Sequence, residues 1–319
     1  MIPWGFVWYS TKGGAAKSTH TAHHAVLSAQ AGWRVLVVDE DPQGNQARLL
    51  GFYGHEEWDG GVGLAASASA TAAGSTGTPP PVIKGVKKFG DGFVDVVGGG
   101  RYLADLDSTF STALVNGRPT LLEEMLAPIA DQYDLILFDL PAKPSAIQTM
   151  TLAAAHYMVM PVGPGDDTHL DGINGAVAIY GNLRKKTNPD LQILGVVIGP
   201  WDLRSNELAD VEAKVNDIVA GTIPVLKPVT RLCPGVVRDL VRLGLTAPEL
   251  EYLAKDNKRR RLAWLRQKKQ AGEGFDEPTP ETFKDAGRLA GDYRALVRVV
   301  NSKFTERQAE YEATKVAVG

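Results

Sequence analysis

The sequence predicts an α/β fold, a doubly wound, mostly parallel sheet of about seven strands flanked by helices. Short continuous apolar runs alternate along the chain with longer segments of helical periodicity, which is typical of buried parallel strands joined by crossover helices. A glycine-rich turn joins the first apolar run to the first helical segment, and such strand–turn–helix units occur in doubly wound sheets. The element order also favours right-handed crossovers.

The predicted elements follow one another in chain order. Strands are predicted at residues 5–9, 34–38, 93–97, 133–139, 156–162 and 191–198. Helices are predicted at residues 21–31, 119–129, 171–185 and 206–219. The alternation of the two kinds of element is what predicts a parallel sheet.

The chain divides into a core and a C-terminal region. We expect an α/β core at residues 1–246 and a helical region at residues 247–319 that packs on it. Residues 60–81 interrupt the core with Gly, Ala, Ser and Thr and end in three prolines. Because this segment offers little apolar surface to bury, we expect a flexible surface insertion, with a partner-binding loop as the alternative.

Composition narrows the class of protein. A chain of 319 residues with 44% hydrophobic and 22% charged residues is an ordinary globular sequence that can bury a sizeable core. Its one cysteine, Cys233, excludes a disulfide framework or a multi-cysteine metal cluster within one chain. No signal peptide is apparent and no apolar run reaches transmembrane length, so we expect a cytoplasmic location and no membrane partner.

A phosphate-binding loop is predicted at residues 10–19, which read Ser-Thr-Lys-Gly-Gly-Ala-Ala-Lys-Ser-Thr. The backbone N–H groups of such a turn, and the start of the helix that follows it, bind anions. Lys17 is placed to contact the β- and γ-phosphates, and the Ser18 hydroxyl is placed to bind Mg²⁺. A plain glycine turn is the alternative, but two lysines, a serine and a threonine in register favour phosphate binding.

The ordinary Walker A pattern would require glycine at positions 11 and 16, where the chain has Thr11 and Ala16. A second lysine, Lys12, directly precedes the glycine pair. The loop therefore resembles the deviant Walker A loop of the ParA/MinD family of ATPases, with Ala16 at its last glycine position. Alanine is tolerated there if its φ is negative and costs stability if its φ is positive.

Acidic residues follow two of the predicted strands. Asp39-Glu40-Asp41-Pro42-Gln43 follows one apolar run, and Asp139 closes another. The carboxyl ends of parallel strands meet at one edge of the sheet, where ligands bind. The first segment resembles the D-x-D-P-Q switch segment of the family, and Asp139 resembles its Walker B aspartate. Pro141 is followed by Ala142, where the family usually has a second proline.

The resemblance implies ATP and Mg²⁺ as cofactors and assigns roles to residues. The expected nucleotide contacts are Gly13, Gly14, Ala15, Ala16, Lys17, Ser18 and Thr19, and the expected metal residues are Ser18, Asp39 and Asp139. Lys17 and Asp41 are expected to be catalytic, with Asp41 positioning the attacking water. Lys12 is expected to reach the nucleotide of a second subunit, so hydrolysis, with slow basal turnover, would require an ATP-dependent homodimer.

The adenine side of the site is less defined. Residues 233–238, followed by Gly244, loosely resemble a proline-containing segment that the family places against the base, which implies a role for Pro234. Residues 201–204 likewise align with a D-x-R-containing loop of the family. A proline turn that begins a helix without a binding role is the alternative.

A basic segment spans residues 255–269, with eight positive residues and one negative in a chain of net charge −3. Because the family commonly binds nonspecific DNA through C-terminal basic residues, the resemblance implies DNA binding here. The candidates are Lys255, Lys258, Arg259, Arg260, Arg261, Arg266, Lys268 and Lys269. A solvated helix face is the alternative.

Three histidines, His20, His23 and His24, fall on the first predicted helix. Their spacing would allow a pair of metal ligands, but no carboxylate or cysteine accompanies them. We therefore expect packed or capping roles for the three imidazoles.

The resemblance implies an ATPase that partitions plasmid, chromosomal or other cargo on nucleoid DNA, with a ParB-like or cargo-adaptor partner stimulating hydrolysis. A MinD-like membrane-surface switch is one alternative, although residues 304–319 are charged and weakly patterned. A metabolic enzyme of the same fold is another, and it would need a second substrate pocket. A noncatalytic scaffold is disfavoured because Lys12, Lys17, Asp41 and Asp139 are all retained.

Overall fold

The computed structural model describes residues 2, 4–75, 78–164, 168–271, 283 and 285–318, and for residues 168–169, 266–271 and 315–318 it describes the backbone only. The strands are β1 Gly5–Trp8, β2 Arg34–Asp39, β3 Ile83–Phe89, β4 Gly92–Val97, β5 Leu135–Asp139, β6 Tyr157–Val162, β7 Gln192–Ile198 and β8 Val225–Leu226. Across the described part of the chain they form one eight-stranded sheet in the order β3-β4-β2-β5-β1-β6-β7-β8. All neighbouring pairs are parallel except β3 with β4.

Helices connect the strands and cover both faces of the sheet. They are α1 Lys17–Gln30, α2 Asn45–Leu49, α3 Val62–Ala72, α4 Ala104–Val115, α5 Leu121–Ala130, α6 Ala146–Ala154, α7 Thr168–Lys186, α8 Glu207–Val219, α9 Pro234–Leu243, α10 Ala247–Ala271 and α11 Ala286–Val318. The predicted doubly wound, mostly parallel α/β fold is confirmed, with eight described strands against the expected seven.

Two hydrophobic layers hold the sheet between the helices. Along β2, Leu36 and Val38 join the apolar layer on one face, while Val35 and Val37 join the layer on the other. Successive side chains of a strand point to opposite faces, so a strand that is apolar at every position must be covered on both sides. This explains why the continuous apolar runs of the sequence correspond to the central strands.

The prediction of a flexible insertion at residues 60–81 is wrong for residues 62–72, which form α3 and pack on α4 and α5. Leu64 and Ala68 in this helix are fully buried. The Asp59 carboxylate accepts hydrogen bonds from the N–H groups of Gly61 (2.8 Å) and Gly63 (2.6 Å) and so caps the helix. Alanine has the highest helix propensity, so a segment poor in large apolar residues can still form a packed helix. Residues 76 and 77 lie outside the described residues.

The C-terminal helices pack against the rest of the chain. Leu296, Val300 and Phe304 of α11 share a hydrophobic cluster with Phe6 and Trp8 of β1. At the start of α10, the Glu249 carboxylate accepts hydrogen bonds from the backbone N–H and the hydroxyl of Thr246, each at 2.8 Å, and the first of these is the glutamate half of a capping box. The division at residues 246/247 remains a proposal about domain organisation.

Candidate nucleotide and metal site

The predicted phosphate loop runs from the end of β1 into the N-terminus of α1. Ala16, the residue before the helix, has φ 55° and ψ 29°, which is the left-handed conformation. Its methyl side chain cannot cap the helix, so the first N–H groups of α1 remain available to an anion. A cavity of about 340 Å³ opens in front of them. Its lining residues are Gly14, Ala15, Ala16, Lys17, Ser18, Thr19, Asp41, Asn45, Arg48, Leu49, Leu140, Ala142 and Val241.

Lys17 is held inside the loop. Its amine donates to the backbone carbonyls of Ser10 and Lys12, both at 3.3 Å, and only 7% of the residue is exposed. Burial lowers the pKa of Lys17, and the negative charges of Asp139 and Asp41 oppose that shift. An ammonium group has three donors, so one remains for a phosphate oxygen in the cavity.

Two fully buried carboxylates lie side by side at the edge of the sheet, because Asp39 of β2 pairs in register with Asp139 of β5. Burial raises the pKa of Asp39 well above its usual range, and the nearby Asp139 raises it further. Burial also raises the pKa of Asp139 to about 6, which the Gln46 amide and the Ser18 hydroxyl partly oppose. Asp139 Oδ1 has no hydrogen bond from any described residue. Lys17 is a nearby positive charge that lowers the pKa of Asp139, but among the described residues neither carboxylate forms an ion pair.

This donor set fits Mg²⁺. Magnesium prefers oxygen ligands, keeps several waters and shares its coordination with substrate phosphates. Ser18, Asp39 and Asp139 supply oxygens, and a divalent cation would satisfy the unpartnered Asp139 Oδ1. Among the described residues, no cluster of three or more His, Cys, Asp or Glu side chains could hold a metal ion by itself. A site of this composition thus depends on hydroxyl, phosphate and water oxygens as well.

Of the other two predicted catalytic residues, Asp41 lines the cavity and Lys12 does not. Asp41 accepts a hydrogen bond from the Gln43 N–H at 2.9 Å. Lys12 is half-buried, and its stem lies against Gly172 of α7, where an added Cβ would be 3.1 Å from Lys12 Cγ. No ion pair or hydrogen bond of the Lys12 amine exists within the described part of the chain.

The structure does not bring Pro234 to the phosphate cavity. Pro234 begins α9, and that helix contributes Val241 to the cavity instead. Pro234 lines a separate cavity of about 520 Å³ with Cys233, Arg238 and Asp285 among its neighbours. A contact between Pro234 and the base stays a prediction.

The candidate DNA-binding residues lie on α10. Lys255 forms an ion pair with Glu251 (2.7 Å) and Arg260 forms one with Asp256 (2.8 Å), both spaced i,i+4 along the helix. The side chains of Lys258, Arg259 and Arg261 are exposed. The side chains of Arg266, Lys268 and Lys269 lie outside the described residues.

The packed role predicted for the three histidines is confirmed, because His20, His23 and His24 are all fully buried. His23 Nδ1 lies 2.7 Å from the Thr19 carbonyl, and His23 Nε2 accepts the Ala247 N–H at 2.9 Å. This pair of contacts requires a neutral ring that donates from Nδ1.

Sequence reasoning missed two buried residues of the site. Gln46, in α2, hydrogen-bonds to Asp139, and Glu40 accepts a hydrogen bond from Thr151 of α6 at 2.7 Å. Burial raises the pKa of Glu40 to about 8. Gln46 had no usable signal, because α2 has five residues and its buried face cannot be identified from periodicity. Glu40 occupies the variable position of the D-x-D-P-Q segment, which assigns no role to it.

Comparisons with known proteins agree with this geometry. A family model described as an AAA domain matches residues 6–193. The chromosome-partitioning ATPase Soj of Thermus thermophilus is 32% identical over 205 residues, which are 64% of this chain and 72% of that protein. Apo McdA from Cyanothece superposes with a TM-score of 0.64 at 20% identity, covering 78% of this chain and 93% of that one. Cobyrinic acid a,c-diamide synthase from Mycobacterium smegmatis, with bound ADP and magnesium, gives a TM-score of 0.59 at 22% identity, covering 86% and 99%.

The fold and the site define a P-loop ATPase with a second lysine in its loop. The family model covers more than half of this chain, and the alignment with Soj covers more than two thirds of that protein. The chain belongs to the ParA/MinD family of deviant Walker A ATPases. Its cofactors are ATP and Mg²⁺, in agreement with the ligands of its structural neighbours.

Proposed function

We propose that the protein is an ATP-dependent dimerising ATPase that partitions or positions plasmid DNA, chromosomal DNA or other cargo. ATP-regulated nonspecific DNA binding would hold it on the nucleoid in the cytoplasm, and a ParB-like or cargo-adaptor protein would stimulate hydrolysis. The likeness to Soj, a chromosome-partitioning ATPase, supports this proposal.

The observation that carries the proposal is the pair of lysines in one loop. The Lys17 amine is bound to two carbonyls of the loop, while the partly buried Lys12 has no hydrogen bond or ion pair of its amine among the described residues. One lysine can therefore neutralise phosphate within its own subunit, and the other can act on a nucleotide in a second subunit. A cation supplied across an interface in this way accelerates hydrolysis by roughly 10³–10⁵ in other NTPases.

The remaining roles follow from position. The N–H groups of the loop and Lys17 bind the β- and γ-phosphates, Thr19 contacts the α-phosphate, and Ser18 and Asp139 hold the metal, with Asp39 supporting its shell. Asp41 orients the attacking water from the rim of the cavity. When bound, Mg²⁺ supplies charge neutralisation at the transferred phosphoryl group. Basal turnover is slow in this proposal because a lone subunit has no cation from a partner.

The test compares Lys12→Ala and Asp41→Ala with the wild type by light scattering and phosphate release with ATP. We expect Lys12→Ala to lose both ATP-dependent dimers and hydrolysis, because it removes the cation that acts across the interface. Asp41→Ala should lose hydrolysis but retain an ATP-locked dimer. Lys185→Ala, at an exposed lysine of α7, serves as the control and should match the wild type. Normal hydrolysis by Asp41→Ala, or full-speed turnover by a Lys12→Ala monomer, would contradict these assignments.

The structure favours neither alternative function. Within the described ranges, no helix has the length and apolarity needed to cross a membrane. Towards the end of α11, Arg307 and Glu310 form an exposed ion pair. The likeness to the diamide synthase lies below 25% identity and establishes the fold alone.

A further inference from the structure

Gln46 is a fully buried amide that contacts every residue expected at the metal. Its side-chain Nε2 donates to Asp139 Oδ2 at 2.8 Å and to the Ser18 carbonyl at 2.9 Å. Its backbone N–H donates to Asp39 Oδ2 at 3.1 Å. One residue of α2 therefore binds the ends of β2 and β5 and the first turn of α1.

The orientation of the Gln46 amide is fixed by its neighbours. A carboxylate and a carbonyl are both acceptors, so the nitrogen and not the oxygen of the amide must face them. Gln46 Oε1 has no partner among the described residues, and a buried unsatisfied oxygen is costly. An apolar side chain of the same size would fill this space without that cost, so packing alone does not explain a glutamine here.

The Gln46 bond leaves one oxygen of Asp139 free. Because Gln46 occupies Oδ2, the unpartnered Oδ1 is the atom that remains for a cation or for a metal-bound water. Residues that hydrogen-bond to a metal-binding carboxylate orient it, and their substitution typically weakens metal affinity about 10- to 100-fold.

We propose that Gln46 is a positioning residue for the Mg²⁺ site. Its side chain orients the Asp139 carboxylate, and its backbone N–H orients the Asp39 carboxylate. Through these bonds, the positions of α2 and of the preceding Asp41 depend on the two carboxylates expected at the metal. The proposal rests on the assignment of Asp39 and Asp139 to the metal in the proposed function. It implies that the position of α2 and the affinity for Mg²⁺ are linked.

The test measures binding of a fluorescent, nonhydrolysable ATP analogue to the full chain as Mg²⁺ is titrated. Gln46→Met keeps the length and volume of the side chain but removes both donors. We expect the half-saturating Mg²⁺ concentration to rise about 10-fold or more, while analogue binding in excess EDTA stays within about 2-fold of the wild type. Gln30→Met, at an exposed glutamine that ends α1, is the matched control and should titrate like the wild type.

Gln46→Asn provides a second measurement if the methionine variant does not fold. Its amide is one methylene shorter and cannot reach both acceptors together, so the Mg²⁺ midpoint should again rise. A wild-type midpoint in either folded variant would overturn the positioning role and leave Gln46 as a packing residue. If wild-type analogue binding shows no dependence on Mg²⁺, the metal assignment itself fails, and the role of Gln46 fails with it.

Discussion

Ala16 is the residue at which the loop departs most clearly from favourable backbone geometry. Its φ of 55° lies in the left-handed region, where an L-residue with a Cβ costs roughly 1–2 kcal/mol. The sequence left open whether φ at Ala16 is negative or positive. It is positive, so alanine at this position costs stability. The neighbouring Ala15 is buried but does not share this conformation.

Ala16→Gly should stabilise the nucleotide-free protein by about 0.5–1 kcal/mol, because glycine relieves the strain but adds entropy to the unfolded chain. Urea unfolding followed by circular dichroism measures the difference. The matched variant Ala15→Gly gains nothing from strain relief and should destabilise by about 0.5–1 kcal/mol. Equal effects from the two glycines would show that the conformation of Ala16 is not strained.

The buried histidines make stability depend on pH. Burial lowers the pKa of His20 and of His24 to about 4 and that of His23 to about 3, below the ordinary value of 6.5. Between pH 6.5 and 4 the unfolded chain binds protons at these sites and the folded protein does not. The histidines therefore make their full contribution to the free energy of unfolding above pH 6.5, and this contribution is lost as the pH falls towards 4.

His24→Gln should reduce the slope of the free energy of unfolding against pH by about 1 kcal/mol per pH unit near pH 5. The variant lacks one group that binds a proton in the unfolded chain but not in the folded protein. Glu40 and Asp139, whose pKa values burial raises, act in the opposite direction in both proteins and cancel from the difference. Urea titrations at pH 5, 6 and 8 supply the slopes. His55→Gln, at an exposed histidine, is the control. An unchanged slope for His24→Gln would mean that His24 is not buried in its neutral form.

At the scale of elements, α3 is where composition misled the prediction. Its buried face is built from Leu64, Ala68 and other small residues, and its start depends on Asp59. Leu64→Ala should lower the free energy of unfolding by about 2–5 kcal/mol, since it opens a cavity at a residue with 1% exposure. Val62→Ala, at a residue of the same helix with 49% exposure, is the control and should change it by less than about 0.5 kcal/mol. If Leu64→Ala lowered the free energy of unfolding by less than about 0.5 kcal/mol, the prediction of a flexible insertion would stand for these residues.

The predictable elements are those whose signal lies in consecutive residues. β2 and β5 were predicted because they are continuous apolar runs, each ending in an aspartate, and the phosphate loop because its chemistry is contiguous. β3 was not predicted, since it is an antiparallel edge strand with three lysines and its pairing shifts register near Gly85, so it lacks a clean alternation. Gln46 was missed for a different reason, because its role exists only once α2 has folded against β5.

At the scale of the whole molecule, α1 links the nucleotide site to the C-terminal region. Its N-terminus forms the end of the phosphate loop, and His23 joins the Thr19 carbonyl to the N–H of Ala247, the first residue of α10. Lys87 of β3 binds Glu249 (2.8 Å) and the Gly244 carbonyl (2.9 Å) and fixes the same end of α10. The proposed DNA-binding helix therefore starts at a point fixed by contacts that reach the loop.

The positive charge of α10 is local, since the chain as a whole has a net charge of −3. The exposed side chains of Lys255 and Arg260 form i,i+4 ion pairs with partly buried carboxylates. Such pairs near a protein surface are worth about 0–1 kcal/mol and can be exchanged for phosphate contacts. Contacts of this kind bind DNA without sequence preference. Their number can be read from the salt dependence of binding, because each phosphate that is neutralised releases counterions.

DNA co-sedimentation with and without ATP, across a series of salt concentrations, tests this surface. If about five of the basic residues contact phosphates, the logarithm of the binding constant should fall with the logarithm of salt concentration with a slope of roughly −4 to −5. Replacing Lys258 and Arg259 together by alanine should reduce the slope by about 2, because two phosphate contacts are lost. Lys186→Ala, at an exposed lysine that ends α7, should leave the slope unchanged. A flat salt dependence of the wild type, or a double variant that keeps the full slope, would contradict DNA binding by α10. Tighter binding with ATP than without it would show that the nucleotide site affects this helix.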